Sequence, residues 1–449
     1  MERRDGLALK IFFIVWGISL LAYLLMISID NSVFLFAWNN VNLLLSFSYL
    51  SFCVLLLGLG IKFGSTGVRF GSMNLYKNTY KYEHINYLKY LYKKRIDKGF
   101  SINNLLFIGL PILSFLVGIL LFRTSGFTGD IESQRSVHIS TEHKASLLSY
   151  LQLFTQASTM ILVLFIPWIK NKSNIIKISL SLMIFIGFFL ISLSNAGRIT
   201  VFVNFVLPIL ISYIIKMIIY GISFRPSDLL KIFVLLLSLV ILVIVFSVWQ
   251  FFRSASQFDH LSNTSLLPYS TFLSPLGLDP ELNSIFSFVL NDFLNYVSNG
   301  IQLFSYFFEV YEPHPLFGGY QFGFISSKFV EADAWFEWKN EVEDCYRHFG
   351  LFWNVWGSYV RDYIVDFGRF PTPFISYITG FFIGFVERRC LSKKSYFAMY
   401  VILLCWLCMS PYYSLFLIRE FHVSLLMITV WIVFDSYKIR KLDKEEVDD

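Results

Sequence analysis

Long apolar segments, separated by short polar or basic ones, recur along most of this chain. Each extends over about 18 residues or more, which is the length that an α-helix needs to cross the hydrocarbon core of a bilayer. The pattern predicts an all-α polytopic membrane protein with about ten transmembrane helices, or up to about twelve if a further pair lies in its longest polar segment. The predicted spans cover about residues 9–29, 41–61, 102–122, 147–169, 178–193, 199–220, 230–252 and 371–386, with two more between residues 396 and 437.

One long segment, residues 253–370, interrupts this pattern and separates the spans in residues 1–252 from those in residues 371–437. Its Asp and Glu residues outnumber its Lys and Arg residues, and acidic side chains hinder export across a membrane very little. Apolar residues at helical spacing between positions 285 and 311 predict an amphipathic helix that rests at the interface or packs on the bundle. Residues 349–364 predict a second interfacial or re-entrant element. The whole segment is therefore expected to form one large extracytoplasmic loop.

The composition agrees with a membrane protein and sets its expected orientation. Of 449 residues, 56% are hydrophobic and only 15% are charged, which excludes an ordinary soluble domain. The net charge of +6 arises because Lys and Arg collect between the spans, for example in residues 62–100, which we expect to lie on anionic membrane lipid. Such clusters mark the cytoplasmic side, so we expect both termini, including the tail of residues 438–449, in the cytoplasm. The basic balance is thus no evidence for a nucleic-acid partner.

The sequence offers no motif for a metal ion, a nucleotide or a dinucleotide cofactor. It contains no His-x-x-x-His, no Asp-x-Asp, no Walker loop and no glycine-rich dinucleotide fingerprint. Of its five cysteines, only Cys345 lies in the long loop, while Cys405 and Cys408 lie in an apolar segment without a nearby His. We therefore expect no disulfide, no metal site, no cofactor and no coupling to ATP.

Arginines beside the predicted outer ends of spans are candidate anion-binding groups. In Ser194-Asn195-Ala196-Gly197-Arg198 a glycine allows a tight turn, and an arginine there can present its forked guanidinium to a phosphate or carboxylate. Arg253 lies just beyond a predicted span, and Arg419, with Glu420 and His422, interrupts the last apolar stretch. Three simpler interpretations stay open, namely an arginine that reaches lipid headgroups, an ordinary flanking charge and a short outer loop.

The long loop also holds the candidate acid and base groups. Arg361, Asp362, Asp366 and Arg369 lie just before the next span, on a predicted helix that ends in a turn. A carboxylate between arginines stays ionised, and it can orient an arginine or act as a base. His314 lies between two prolines in an irregular loop and is a second candidate base. The alternatives are a surface ion-pair cluster and a histidine that only holds the loop in shape.

Three short segments, taken together, resemble the Wzy-type O-antigen polymerase family. Ser194-Asn195-Ala196-Gly197-Arg198-Ile199-Thr200, ahead of an apolar helix, is similar to the Gly-Arg turn of that family. Phe317-Gly318-Gly319-Tyr320 resembles its Gly-aromatic segment in the large outer loop, and Asp366-Phe367-Gly368 resembles its Asp-Phe-Gly run. The order of the segments and the single large, late outer loop strengthen the resemblance, which extends over about residues 178–386.

The resemblance implies a GT-C-like glycosyltransferase bundle in the bacterial inner membrane. Such an enzyme works at the outer face and needs no nucleotide sugar. It transfers a glycan chain held on undecaprenyl pyrophosphate to the next lipid-linked repeat unit, which requires cations for the pyrophosphate and a base for the sugar hydroxyl. The bases suggested by the resemblance are His314 and Asp366. The suggested pyrophosphate-binding residues are Arg198, Arg253, Arg361 and Arg419. The implied partners are the lipid-linked oligosaccharide, a chain-length regulator and a flippase.

Four other functions stay open on the sequence. One is a membrane-bound acyltransferase, an enzyme class that commonly needs a buried histidine, and His422 is the candidate for it. An O-antigen ligase has a similar architecture and acts on a similar lipid-linked glycan. A flippase for lipid-linked oligosaccharides is a transporter, and many transporters show internal repeats and polar, interrupted helices. This chain shows no internal repeat, and most of its predicted spans carry no charge at mid-depth. A purely structural membrane scaffold would leave the outer arginines unexplained.

Overall fold

The computed structural model describes the helical parts of the chain and several connecting loops. The described ranges are residues 6–29, 41–66, 104–125, 147–169, 173–194, 201–220, 294, 297–298, 300–301, 303–322, 332–349, 357–390, 394–412 and 414–448. Within these ranges the regular secondary structure is helical and contains no strand. The prediction of an all-α protein is therefore confirmed.

The α-helices of the described ranges are α1 Leu7–Ile29, α2 Leu43–Thr66, α3 Asn104–Ser125, α4 Leu147–Phe165, α5 Asn174–Ser194, α6 Leu207–Tyr220, α7 Phe304–Val310, α8 Ala332–Arg347, α9 Tyr359–Phe367, α10 Thr372–Arg389, α11 Lys394–Met409 and α12 Arg419–Asp448. Most of them lie on the predicted apolar segments, whereas α7, α8 and α9 lie within the predicted long loop, and the helix α8 was not predicted. A 3₁₀ turn, Ile166–Trp168, follows α4, and a π-helical turn, Phe202–Val206, leads into α6.

Several of these helices have the length and composition of membrane spans. Among the described residues, five helical stretches are long and apolar enough to cross a bilayer: Leu7–Leu25, Leu43–Thr66, Leu106–Thr124, Leu148–Trp168 and Ile175–Ser192. Phe202–Met217 and Lys394–Met409 form shorter apolar helices. The protein is therefore a membrane protein. The predicted span at residues 230–252 lies outside the described residues.

Close packing divides the chain into two units. The first contains Met1–Thr66, Val240–Glu387 and Trp406–His422, and the second contains Gly67–Leu239, Arg388–Cys405 and Val423–Asp449. The first unit includes α1, α2 and α7 to α10. The second includes α3 to α6. Each unit therefore consists of three segments that are distant from one another in sequence.

Glycines bring α2 and α10 into backbone contact within the first unit. A Cβ atom on Gly380 would overlap the carbonyl oxygen of Leu57, and one on Gly384 would overlap that of Ile61. In return, Gly60 and Gly64 of α2 face the backbone of α10. Because lipid is as apolar as a leucine side chain, association of helices in a membrane depends on such close van der Waals packing.

We expect Gly380→Ala to lower the stability of the protein by about 1–3 kcal/mol, because the added methyl group has no space unless the two backbones separate. The measurement is the melting temperature of the purified protein in detergent. Gly17→Ala is the matched control, since a Cβ at that position meets no atom within 4 Å. Equal melting temperatures for the two variants would contradict the proposed contact.

The second unit contains a parallel pair of helices held by hydrogen bonds. The indole Nε1 of Trp168, just after α4, donates to Ser212 Oγ of α6 at 2.8 Å, and Ser212 Oγ donates to the carbonyl of Leu164 at 2.6 Å. Lys216 Nζ reaches the carbonyl of Pro167. These bonds fix how far α4 and α6 are displaced along each other.

The described part of the predicted amphipathic helix at residues 285–311 packs on other helices. Leu294 and Val297 lie against Ala22 of α1. In α7, Phe304 and Phe308 pack on Tyr49 of α2, with ring centroids 6.4 and 5.0 Å apart. Of the two arrangements open from the sequence, the described residues adopt packing on the bundle.

Candidate functional site

The candidate site forms where the loop of residues 311–322 folds over the end of α9. The helix begins after Ser358 and ends at Gly368, whose φ of 80° is readily adopted only by glycine. The N–H of Gly368 still bonds to the carbonyl of Ile364 at 2.8 Å and closes the last turn. The predicted helix that ends in a turn is thus present, and its polar residues are held in fixed positions.

Asp366 fastens the loop to the helix through its carboxylate. The N–H of Tyr320 donates to Oδ1 at 2.8 Å, and the N–H of Gln321 donates to Oδ2 at 3.1 Å. The N–H of Phe317 donates to the main-chain carbonyl of Asp366 at 2.7 Å. Phe317 itself has a positive φ of 50°, which is rare for a bulky residue. A fully buried carboxylate therefore fixes an unusual turn next to Gly318.

Burial controls the protonation of Asp366, which lies in α9, a helix outside the apolar spans. Burial raises the pKa of the Asp366 carboxyl from 3.8 to about 7, although the peptide N–H groups of Tyr320 and Gln321 oppose this rise. The same effect raises the pKa of Asp362 to about 6, against the influence of the Arg361 guanidinium. Asp366 thus titrates near neutral pH.

We expect Asp366→Asn to loosen the loop, because an amide offers only one acceptor oxygen to two buried N–H groups. The loss should be about 1–3 kcal/mol of unfolding free energy. The pH dependence has a defined sign. A folded-state pKa raised from 3.8 to about 7 adds stability below about pH 4, and this stability is lost as the pH rises to about 7.

Melting curves of the wild-type protein and the Asp366→Asn variant between about pH 4 and 8 test this prediction. The wild-type advantage should be larger at the acid end of the range. An advantage that grows towards pH 8 would show that Asp366 is ionised in the folded protein throughout and would contradict the raised pKa.

Arg361 and Asp362 form an ion pair that is buried rather than on the surface. Both Nε and Nη2 of Arg361 donate to Oδ1 of Asp362, at 2.9 and 2.8 Å. The hydroxyl of Tyr346 on α8 lies 3.5 Å from Nη1. A Cβ atom on Gly357 would overlap the guanidinium, so a larger residue there would displace the Arg361 side chain. Arg361 was predicted to bind pyrophosphate. To do so it would first have to release Asp362.

His314 lies on the outside of the same loop. Its side chain is 57% exposed, and its Nε2 lies 2.9 Å from Oε2 of Glu341 on α8. The ring of Tyr311 packs beside it at a centroid distance of 6.2 Å. A carboxylate that orients an accessible imidazole is a common arrangement for a general base.

Arg369 holds the other side of the loop. Its Nη2 donates to the carbonyls of Phe308 and Tyr311, the second at 2.8 Å, and its guanidinium lies 4.4 Å from the centroid of the Phe308 ring. Gly319 rests on Trp338, whose ring lies 3.1 Å from a Cβ built at that glycine. These contacts give the loop a defined shape without any strand or disulfide among the described residues.

Of the remaining predicted residues, two lie in the first turn of α12 and two lie outside the described part of the chain. Arg419 is exposed at the start of α12, and His422 in its first turn is buried and stacks on Phe322 at 4.9 Å. Arg198 and Arg253 lie outside the described residues. The structure thus places His314 in the loop and Asp366 at the helix end to which this loop is bonded, with Arg361 on the same helix.

The sequence reasoning missed Gln321 and Tyr346. Gln321 contributes its N–H to Asp366, and its side-chain oxygen accepts a hydrogen bond from Ser414 at 3.3 Å. Neither residue lies in a recognisable motif. Only the position of Gln321 directly after Tyr320 offered a signal.

Comparisons with known proteins add no relative. No protein-family model, no curated protein and no solved structure matches the chain. Among the residues that the structure describes, no three His, Cys, Asp or Glu side chains are grouped as metal ligands.

Proposed function

We propose that this membrane protein is a Wzy-type polymerase of O-antigen or another surface polysaccharide. It would have about ten transmembrane helices in a GT-C-like bundle and lie in the bacterial inner membrane with both termini in the cytoplasm. One observation carries the proposal. Phe317-Gly318-Gly319-Tyr320 and Asp366-Phe367-Gly368, which resemble two family motifs, meet through the hydrogen bonds to Asp366.

The reaction we propose joins two lipid-linked glycans at the outer face of the membrane. A base removes the proton from a hydroxyl of the acceptor repeat unit, and the resulting oxygen attacks the anomeric carbon of the donor chain. The bond from that carbon to the pyrophosphate oxygen breaks, and undecaprenyl pyrophosphate leaves. His314 is better suited to be the base than Asp366, because it is accessible and paired with Glu341 whereas Asp366 is covered by the loop.

In this proposal the leaving pyrophosphate is neutralised by arginines rather than by a metal ion. Arg198, Arg253 and Arg419 are the candidates, since a guanidinium can form two parallel bonds to a phosphate. Arg361, already bonded to Asp362, would serve to hold α9 and the loop in place. A chain-length regulator and a flippase would be the protein partners of such an enzyme.

Arg198→Lys should keep the charge yet lose most polymer, because the ammonium group cannot reproduce the forked contact with pyrophosphate. We expect at least a tenfold fall in the amount of long-chain polymer, which corresponds to about 1.4 kcal/mol of lost binding or barrier lowering. The measurement is a surface-glycan gel of a complemented deletion strain at matched protein levels. Full polymer from Arg198→Lys would remove this residue from the pyrophosphate site.

The function itself is tested by a surface-glycan gel of a strain without this gene, run beside its parent. A ladder that collapses to the core plus one repeat unit is expected for a polymerase. Loss of all glycan-bearing bands with accumulation of lipid-linked polymer would indicate a ligase instead. Single lipid-linked units trapped on the cytoplasmic side would indicate a flippase, and an unchanged ladder would contradict the proposal.

A further inference from the structure

A π-helical turn in the second unit contains a buried asparagine that has no hydrogen-bond partner. The turn covers Phe202–Val206, and Asn204 within it is only 1% exposed. Neither the amide oxygen nor the amide nitrogen of Asn204 has a partner in the described structure. Turns of this kind are rare and occur frequently at functional sites.

A second incompletely bonded amide belongs to α4. Gln156 is fully buried, and its side-chain oxygen receives one long bond of 3.4 Å from Gln152 Nε2. The amide nitrogen of Gln156 has no partner among the residues that are described. Because Gln152 donates to the oxygen of the Gln156 amide, the nitrogen of that amide is the group that can still donate a hydrogen bond.

The register of the two helices places these amides at one level. Ser212 of α6 bonds to the carbonyl of Leu164 of α4, and these two residues are 48 positions apart in sequence. Gln156 and Asn204 are separated by the same 48 positions, since 204 minus 156 is 48. Because α4 and α6 run in the same direction and α4 packs against the π-helical turn, both amides lie at the same height in the bundle.

Unpaired amides in the interior of a membrane bundle lower stability, so their presence calls for an explanation. Each side-chain amide presents neutral donors, and Asn204 also presents a free acceptor. That combination matches hydroxyl groups, which both donate and accept. It is less suited to phosphate, which carries negative charge and only accepts.

We propose that Asn204 and Gln156 form a subsite that binds hydroxyl groups of the glycan substrate. The inference rests on the polymerase function proposed above, and its residues Gln156 and Asn204 both lie in the second unit. The subsite holds sugar hydroxyls by neutral hydrogen bonds, while the arginines hold the pyrophosphate.

The subsite predicts opposite effects on stability and binding. Asn204→Leu removes unpaired polar atoms from the resting protein, so its melting temperature in detergent should rise by about 1–2 °C. Its polymer ladder in cells should shorten or vanish at matched protein levels, and Gln156→Leu should act in the same direction. Ser212→Ala is the control, because that hydroxyl is already bonded to Trp168 and Leu164 and its loss should lower stability but leave polymer intact.

Binding is measured with the lipid-linked oligosaccharide fraction extracted from cells that lack this gene. The fraction should raise the melting temperature of the wild-type protein, and the Asn204→Leu variant should need at least tenfold more of it for the same rise. The same fraction after mild acid has released its glycan is the control for lipid binding. An equal response of both proteins, equal responses to both fractions, or no response of the wild-type protein would overturn the subsite.

The two proposals fail in different ways. A deletion strain that keeps its full ladder would contradict the polymerase function, whereas the binding measurement would still decide whether Asn204 contacts a glycan. If the deletion strain has a collapsed ladder and the Asn204→Leu variant restores it fully, the polymerase function stands and only the subsite is overturned. A lower melting temperature for Asn204→Leu would show a structural role for the amide and also overturn it.

Discussion

The Asp362→Ala variant should fold poorly and accumulate at a small fraction of the wild-type level. Asp362 accepts two hydrogen bonds from Arg361 where both side chains are buried, so its removal leaves a guanidinium without its carboxylate partner. Breaking such a pair costs about 3–5 kcal/mol, which is a large share of the roughly 5–15 kcal/mol that stabilises a typical protein. The measurement is the yield of monodisperse protein and its melting temperature in detergent.

Two comparisons separate a buried pair from charge in general. Arg347→Ala removes an arginine that is 63% exposed and pairs with Glu343 and Asp344, so its effect should be within about 1 kcal/mol. The double variant Arg361→Met with Asp362→Leu should recover much of the lost stability, because neither charge then stays buried alone. If Asp362→Ala melted within a degree of Arg347→Ala, the pair would contribute nothing to the fold.

His314→Gln should reduce chain elongation by about 100-fold or more while leaving the melting temperature nearly unchanged. A general base in the transition state contributes about 10²–10⁴-fold to the rate. The exposed contact with Glu341 contributes little stability, because solvent screens such a pair. Elongation by complemented membranes, measured at several pH values, provides the rate.

His348→Gln is the matched control, since His348 is also exposed and lies at the end of the same helix that carries Glu341. It should elongate chains at the wild-type rate. Glu341→Gln should cause a smaller loss than His314→Gln, because it alters the orientation of the imidazole but leaves the base in place. A wild-type rate for His314→Gln would remove His314 from the role of base.

The helices could be predicted from the sequence because burial in lipid leaves a simple signature. Apolar segments of sufficient length indicate spans, and α1 to α5 lie where such segments predicted them. The end of α9 was also predictable, since a glycine after an Asp-Phe pair readily adopts a positive φ. Each of these features depends on residues close together in the chain.

Contacts between distant residues could not be predicted in the same way. The sequence placed Gly380 and Gly384 in a predicted helix, but only the structure shows that this helix packs against α2. It marked Arg361 and Asp362 as charged without showing that they are buried together. Likewise the carboxylate of Asp366 was a candidate base, and its bonds to Tyr320 and Gln321 depend on a loop that folds back over α9.

The π-helical turn shows a further limit of sequence reasoning. Asn204 lies within an apolar segment that reads as an ordinary span, and nothing in its neighbours indicates an altered hydrogen-bond pattern. Its significance appears only when the bonds of Ser212 set the register of α4 against α6.

Reconstitution tests the central claim most directly. The purified protein is placed in liposomes with lipid-linked repeat units extracted from the deletion strain, without nucleotide sugars, and the lipid-linked products are separated by length over time. A polymerase should convert single units into a ladder of longer lipid-linked chains, and the His314→Gln variant should do so far more slowly. Single units that remain unchanged with an active, folded wild-type preparation would contradict the claim that this protein joins lipid-linked glycans.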